Sequence, residues 1–153
     1  MNKVHFISYG THEYEETLKR IEDEAIKSDF FDSIKIYHGQ DSLTKEFKEK
    51  HKLILKERRG GGFWIWKLDV IMQRLNEIDE NDILIYCDAG HSINKNGKEQ
   101  LDMYIESLMK SEYGITVKDV IPKEGRSFSK IFNKEKKELL LSDYVALETK
   151  KLY

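Results

Sequence analysis

The chain has one cysteine, Cys87, and one proline, Pro122, among its 153 residues. A single cysteine excludes an intrachain disulfide, so a stable fold must rest on its core, and the thiol points to a reducing compartment or to burial. No apolar run approaches the ~20 residues that cross a bilayer. The opening Met-Asn-Lys-Val-His-Phe-Ile-Ser lacks the apolar core of a secretion signal. These absences point to a cytoplasmic protein without a membrane span, with peripheral membrane contact left open. Charge of one sign is also lacking. The net charge is −2, which gives no overall bias toward nucleic acid.

What is present is a globular composition, 39% apolar and 35% charged. The length favours one domain with a sizeable core. Charge is uneven along it: residues 118–153 carry a net +3 and the remaining 117 residues −5. A basic segment of this kind is usually a solvated face and otherwise meets an anionic partner.

Hydrophobic patterning alternates between strand and helix. "KVHFISYG" and "SIKIYHG" read as strands, and "NDILIYCDAG" as a strand buried on both faces. Between them, "THEYEETLKRIEDEAIKSD" reads as a helix with Thr11 as N-cap and Tyr14, Leu18, Ile21, Ala25 and Ile26 on one face. "SLTKEFKEKHKLILKE" is helical in composition, with Leu43, Phe47 and Ile54 inward. "KLDVIMQRLNEI" presents Leu68, Ile71, Met72, Leu75 and Ile78 on one face. "GKEQLDMYIESLMKS" directs Leu101, Tyr104, Ile105, Leu108 and Met109 inward, and "YGITV" is a further strand. The tail "KEKKELLLSDYVALETKKLY" reads as a helix or two. The expected class is α/β, a Rossmann-like sandwich with a mostly parallel sheet and flanking helices.

In such a sheet, ligands bind beyond the carboxyl ends of the strands, where the connections diverge. The segments ending there are Ser8-Tyr9-Gly10, Tyr37-His38-Gly39 and Cys87-Asp88-Ala89-Gly90. Asp88 can accept hydrogen bonds from a ribose or hold a hard cation, and small residues after it allow close approach. It can equally cap a turn. The run Arg58-Arg59-Gly60-Gly61-Gly62-Phe63-Trp64-Ile65-Trp66-Lys67 joins backbone N–H groups to cationic side chains, an arrangement suited to anions, but it matches neither the Walker nor the dinucleotide glycine pattern. A flexible hinge into a helix is the plain alternative. Trp64 and Trp66 are two residues apart and cannot share a helical face, so one can enter the core while the other lines a pocket.

Taken together, "RGGGFWIWKLDVI" and the "NDILIYCDAG" that follows it resemble a group of bacterial and giant-virus sugar transferases, nucleotide-sugar-dependent glycosyltransferases of the GT-A type linked to surface polysaccharide synthesis. "VHFISYGT" and "FFDSIKIY" fit the same pattern, and the resemblance covers residues 3–117. It implies a donor-binding α/β domain over residues 1–117, followed by a basic segment, 118–153, packed on the same domain. It implies that Ser8, Tyr9, Arg59, Gly61, Gly62, Trp64, Trp66, Lys67, Asp88, Ala89 and Gly90 surround the nucleotide sugar, with Lys67 meeting diphosphate or sugar oxygens. Asp88 would stand first in an Asp-x-Asp motif that holds Mn²⁺ or Mg²⁺. The third position is Gly90, which leaves Asp88, with His91 as a substitute, as the candidate metal ligands. No general base is identified, and the chain is shorter than transferases of this type. The expected function is a glycosyltransferase, or its donor-binding part, passing a sugar to a glycan or other acceptor. The alternative is a non-catalytic α/β module that keeps the fold for assembly or regulation.

Overall fold

The computed structural model describes residues 2–110, 115–120 and 127–133, with side chains over 2–110. Strand β1, Val4–Gly10, leads through a 3-10 turn at His12–Tyr14 into helix α1, Glu15–Ser28. Then come β2, Ser33–His38, and the short helix α2, Lys45–Lys50. A turn of helix at Gly60–Phe63 precedes α3, Trp66–Glu77. Strand β3, Ile83–Cys87, and helix α4, Lys98–Lys110, complete the first part. Strands β4, Ile115–Val120, and β5, Ser127–Asn133, follow.

The five strands form one sheet in the order β2-β1-β3-β5-β4. β1 pairs in parallel with β2 and with β3. β5, drawn from the basic C-terminal segment, runs antiparallel between β3 and β4. The protein is therefore an α/β fold whose parallel part has three strands and whose other edge is antiparallel. The helical reading of 134–153 lies outside the described residues.

Strand alternation divides the core into two layers. Phe6, Ile83, Ile85 and Cys87 point to one face and pack with Ile21 and Ala25 of α1 and Leu108 of α4. Ile7, Tyr9, Tyr37, Leu84 and Tyr86 point to the other and pack with Trp66, Val70, Ile71 and Leu75 of α3. All five residues of β3 are buried, as its unbroken apolar run requires.

Helix α1 ends at Asp29, which takes the left-handed conformation common just past a helix end. Its expected apolar stripe is only partly inward: Leu18, Ile21 and Ala25 are buried, whereas Tyr14 and Ile26 are exposed. Tyr14 precedes the α-helix proper, in the 3-10 turn, where the 3.6-residue period does not apply. Ile26 follows Ala25 directly, one step of about 100° around the helix. Met109 is likewise exposed one step past the buried Leu108.

The helix expected over residues 42–57 is shorter than composition suggests. α2 ends at Lys50, and a further 3-10 turn, Ile54–Lys56, buries Leu55 but leaves Ile54 exposed. Thr44 caps α2 by accepting from the Phe47 N–H. The buried Asp69 carboxylate of α3 accepts from Thr44 N at 2.8 Å and Thr44 Oγ1 at 2.6 Å. That cap locks α2 onto α3.

Candidate functional site

Parallel pairing brings the carboxyl ends of β1, β2 and β3 to one edge of the sheet. From β1 the chain returns to β2 on one side, and from β3 it continues toward β4 and β5 on the other. The connections thus diverge between β1 and β3, which is where such sheets form a crevice. Tyr9 and Asp88 flank it.

Asp88 follows β3 directly. Its carboxylate lies 2.9 Å (Oδ1) and 3.1 Å (Oδ2) from Nζ of Lys67, in the first turn of α3. Tyr86, two residues earlier on the same face of β3, donates its hydroxyl to Asp88 Oδ1 at 2.5 Å. The Lys67 side chain is only 8% exposed and Asp88 28%, so the carboxylate is the open member of the pair. The ammonium also lies 5.7 Å from the centre of the Trp66 ring and 5.5 Å from that of Tyr86. Aromatic faces favour a cation there.

Trp66 and Trp64 part as their spacing requires: Trp66 is buried and Trp64 is 45% exposed. Trp66 stacks on Tyr9 with ring centres 3.8 Å apart and planes 22° apart. Its indole N–H donates to the Gly60 carbonyl at 2.9 Å. The stack joins β1 to the glycine run.

That run is not a loose hinge. Five consecutive residues, Gly60 to Trp64, have positive φ, from 52° at Phe63 to 99° at Gly62. Phe63 N–H donates to Arg59 O at 2.8 Å and Trp64 N–H to Gly60 O at 3.2 Å. The segment is one turn of left-handed helix, in which each L-residue other than glycine costs about 1–2 kcal/mol. Glycine is further required by packing. A Cβ on Gly62 would come within 2.9 Å of the Leu55 main chain, and one on Gly60 within 2.5 Å of the Trp64 ring. Phe63 and Trp64 hold left-handed conformations without that freedom, a strain that surrounding contacts must sustain.

The Asp88 loop is fastened from α1 by residues that sequence patterning does not single out. Arg20 donates to the Ala89 carbonyl at 3.0 Å, the His91 carbonyl at 2.8 Å and Ser92 Oγ at 3.2 Å. Glu24 pairs with Arg20 and accepts from Ile93 N–H at 2.8 Å. Burial pushes the Glu24 carboxyl up, but the Ile93 N–H and Arg20 outweigh it and hold it below the usual carboxylate range.

Of the residues singled out from sequence, Tyr9, Trp66, Lys67 and Asp88 meet in one cluster. Gly61 adjoins it, since a Cβ there would stand 3.7 Å from the Trp66 indole nitrogen. Ala89 is buried beneath the Arg20 clasp and Gly90 is exposed. Ser8 is fully buried and points to the opposite face of the sheet from Tyr9. Arg59 and Trp64 are exposed, and Gly62 is buried against Leu55. Ser8 Oγ, Tyr9 OH and Tyr37 OH are buried and have no hydrogen-bond partner among the described residues. Such atoms call for a ligand or water. Burial raises the Tyr9 hydroxyl to about 12, so it stays a donor at neutral pH. The Cys87 thiol is pushed to about 12 by burial and then by the Asp88 charge, which removes it as a nucleophile.

Few possible metal donors surround Asp88. Both Asp88 oxygens face Lys67, Gly90 contributes no side chain, and His91 Nδ1 lies 3.2 Å from the Asp88 main-chain carbonyl. No cluster of three His, Cys, Asp or Glu side chains suited to a metal occurs among the described residues. No helix among them is long and apolar enough to cross a membrane.

Compared with known proteins, the chain matches no protein-family model and no curated protein sequence.

Proposed function

We propose that the protein is a glycosyltransferase of the GT-A type, or the donor-binding part of one, which takes a sugar from a nucleotide diphosphate sugar and passes it to a glycan or other acceptor in surface polysaccharide synthesis. The observation that carries this reading is the Lys67–Asp88 pair at the crevice between β1 and β3, backed by Tyr86 and bordered by the Tyr9–Trp66 stack.

The pair suits the chemistry. Breaking the bond between sugar and nucleotide leaves charge on a diphosphate. A fixed cation in a poorly solvated site stabilises that charge more than water does. Lys67 is such a cation, held between two aromatic rings and a carboxylate. Asp88 keeps lone pairs open to solvent, which can accept from sugar or ribose hydroxyls. Mn²⁺ or Mg²⁺ would have to share this carboxylate with Lys67, so the leaving-group role falls to the lysine.

The test is equilibrium binding of UDP-, GDP-, CMP- and dTDP-sugars to the wild-type chain and to the Lys67→Ala and Asp88→Ala variants. One nucleotide class should bind, and each substitution should weaken it tenfold or more, about 1.4 kcal/mol. Equal affinities across the three proteins would refute the site. A folded chain that binds no nucleotide sugar, shows no sugar-nucleotide hydrolysis and recovers a protein partner would instead be the non-catalytic module.

A further inference from the structure

A second feature lies beside the glycine turn and takes no part in the crevice. Eight large apolar side chains are exposed among the described residues, and four of them fall between positions 53 and 64. Leu53 is 79% exposed, Trp64 45%, Ile54 39% and Phe63 37%. The other four are scattered over the first 3-10 turn, α1 and α4. The four are close in space as well as in sequence. Gly62 N–H donates to the Glu57 carbonyl, and the Gly62 backbone rests on Ile54 and Leu55. The turn bearing Phe63 and Trp64 is thereby packed against the turn bearing Leu53 and Ile54.

The charge around them is mostly positive. Residues 50–64 hold Lys50, Lys52, Lys56, Arg58 and Arg59 against a single acid, Glu57, a net +4. The rest of the chain then carries −6. All five cations are exposed. Exposed leucine, phenylalanine and tryptophan interleaved with lysine and arginine match an anionic lipid surface: apolar tips enter the headgroup layer while cations meet phosphates. The chain's own residues 134–153 carry apolar side chains but a net +1, so they offer no complementary charge.

We infer that Leu53, Ile54, Phe63 and Trp64, with Lys52, Lys56 and Arg58 around them, form a docking surface for an anionic phospholipid bilayer. The surface binds the protein peripherally and does not depend on the nucleotide-sugar reading.

The test is sedimentation of the full chain with vesicles of phosphatidylcholine alone and of phosphatidylcholine with about a third phosphatidylglycerol, at low and high salt. Binding should occur with the anionic vesicles, weaken as salt rises and be absent from the neutral ones. Lys52→Glu and Arg58→Glu should each lower the partition coefficient by at least roughly fivefold. Leu53→Asp should do the same while circular dichroism and melting temperature stay at wild type, because its side chain is exposed. No binding by the wild-type chain would overturn the inference. So would binding that the three substitutions leave unchanged, and so would capture of an acidic protein through these residues without vesicle binding.

Discussion

Two polar clusters sit at opposite edges of the same sheet, and both use the α3 face. At the amino edge, Asp82 accepts from His5 Nε2 at 2.9 Å and from Lys3 N–H at 2.9 Å. The other His5 nitrogen lies 2.6 Å from Ser33 Oγ, and Arg74 donates to Ser33. Arg74 and Lys35 both pair with Glu77. The His5–Asp82 pair is closed to solvent, and the network ties β1, β2 and α3 to the residue that precedes β3. At the carboxyl edge, the Lys67–Asp88 pair is as short, but its carboxylate is open, and the buried hydroxyl of Tyr9, which stacks on Trp66, lacks a partner. A network that is closed to solvent and nearly all paired, Arg74 Nε alone of its side-chain atoms being buried without a partner, holds a fold together. An open pair beside unsatisfied donors and a strained turn is what a ligand site requires. The difference is one of closure: the His5–Asp82 pair is shut to solvent and Asp88 is open.

Breaking the amino edge should cost much stability and little affinity. Asp82→Ala leaves a buried histidine and a backbone N–H without their acceptor and should destabilise by about 3 kcal/mol. In a chain of this length that lowers Tm by roughly 6–12 °C. Nucleotide-sugar affinity, measured on the folded variant, should stay within about twofold of wild type. A large affinity loss would erase the distinction between the edges.

The glycine turn sharpens the comparison next. Gly62→Ala places a Cβ against main chain at positive φ and should cost about 2–4 kcal/mol by chemical denaturation. Gly90→Ala meets nothing within 4 Å and has no positive φ, so it should change stability by less than about 0.5 kcal/mol. Equal effects would mean that the left-handed turn is not held in place.

Acid should also weaken the amino edge. Burial pushes the Asp82 and Glu77 carboxyls up, but hydrogen bonds outweigh it: from His5 and Lys3 to Asp82, and from Lys35 and Arg74 to Glu77. Both groups therefore lie below their ordinary values. Their contribution is complete above the unfolded-state values near ~4 and is lost as pH falls through the folded-state values. Tm measured between about pH 7 and pH 3 should be flat and then fall. Asp82→Asn should make the acid limb shallower, because it removes one of the carboxyls, Glu24 and Glu77 among them, that are held below their ordinary values. An unchanged limb would discount the network's role in acid stability.

Much of this division was legible in the sequence, and the illegible part has physical reasons. Alternation of strand and helix located β1, β2 and β3, and an unbroken apolar run marked β3 as central. Spacing alone separated the two tryptophans. Asp88 stood out because it ends a buried strand. The antiparallel placement of β5 left no such mark, since strand direction depends on long-range pairing. The glycines left open a flexible hinge or an anion-lining run, because a φ preference does not show whether a neighbour fills the space, and Leu55 does. Arg20 and Glu24, an i,i+4 pair on α1, carry no mark in the sequence that sets them apart. Only the fold brings the Asp88 loop across them.

The most direct test is a thermal-shift panel of UDP-, GDP-, CMP- and dTDP-sugars, each with Mn²⁺ and with EDTA, run on wild type and on Lys67→Ala. A nucleotide sugar at a hundred times its Kd should add about 2.7 kcal/mol, a rise in Tm of roughly 5–10 °C. The expected result is a rise with one nucleotide class in wild type, retained in EDTA and reduced in Lys67→Ala. No rise with any donor, or a rise of equal size in Lys67→Ala, would contradict the assignment of the carboxyl edge as the donor site.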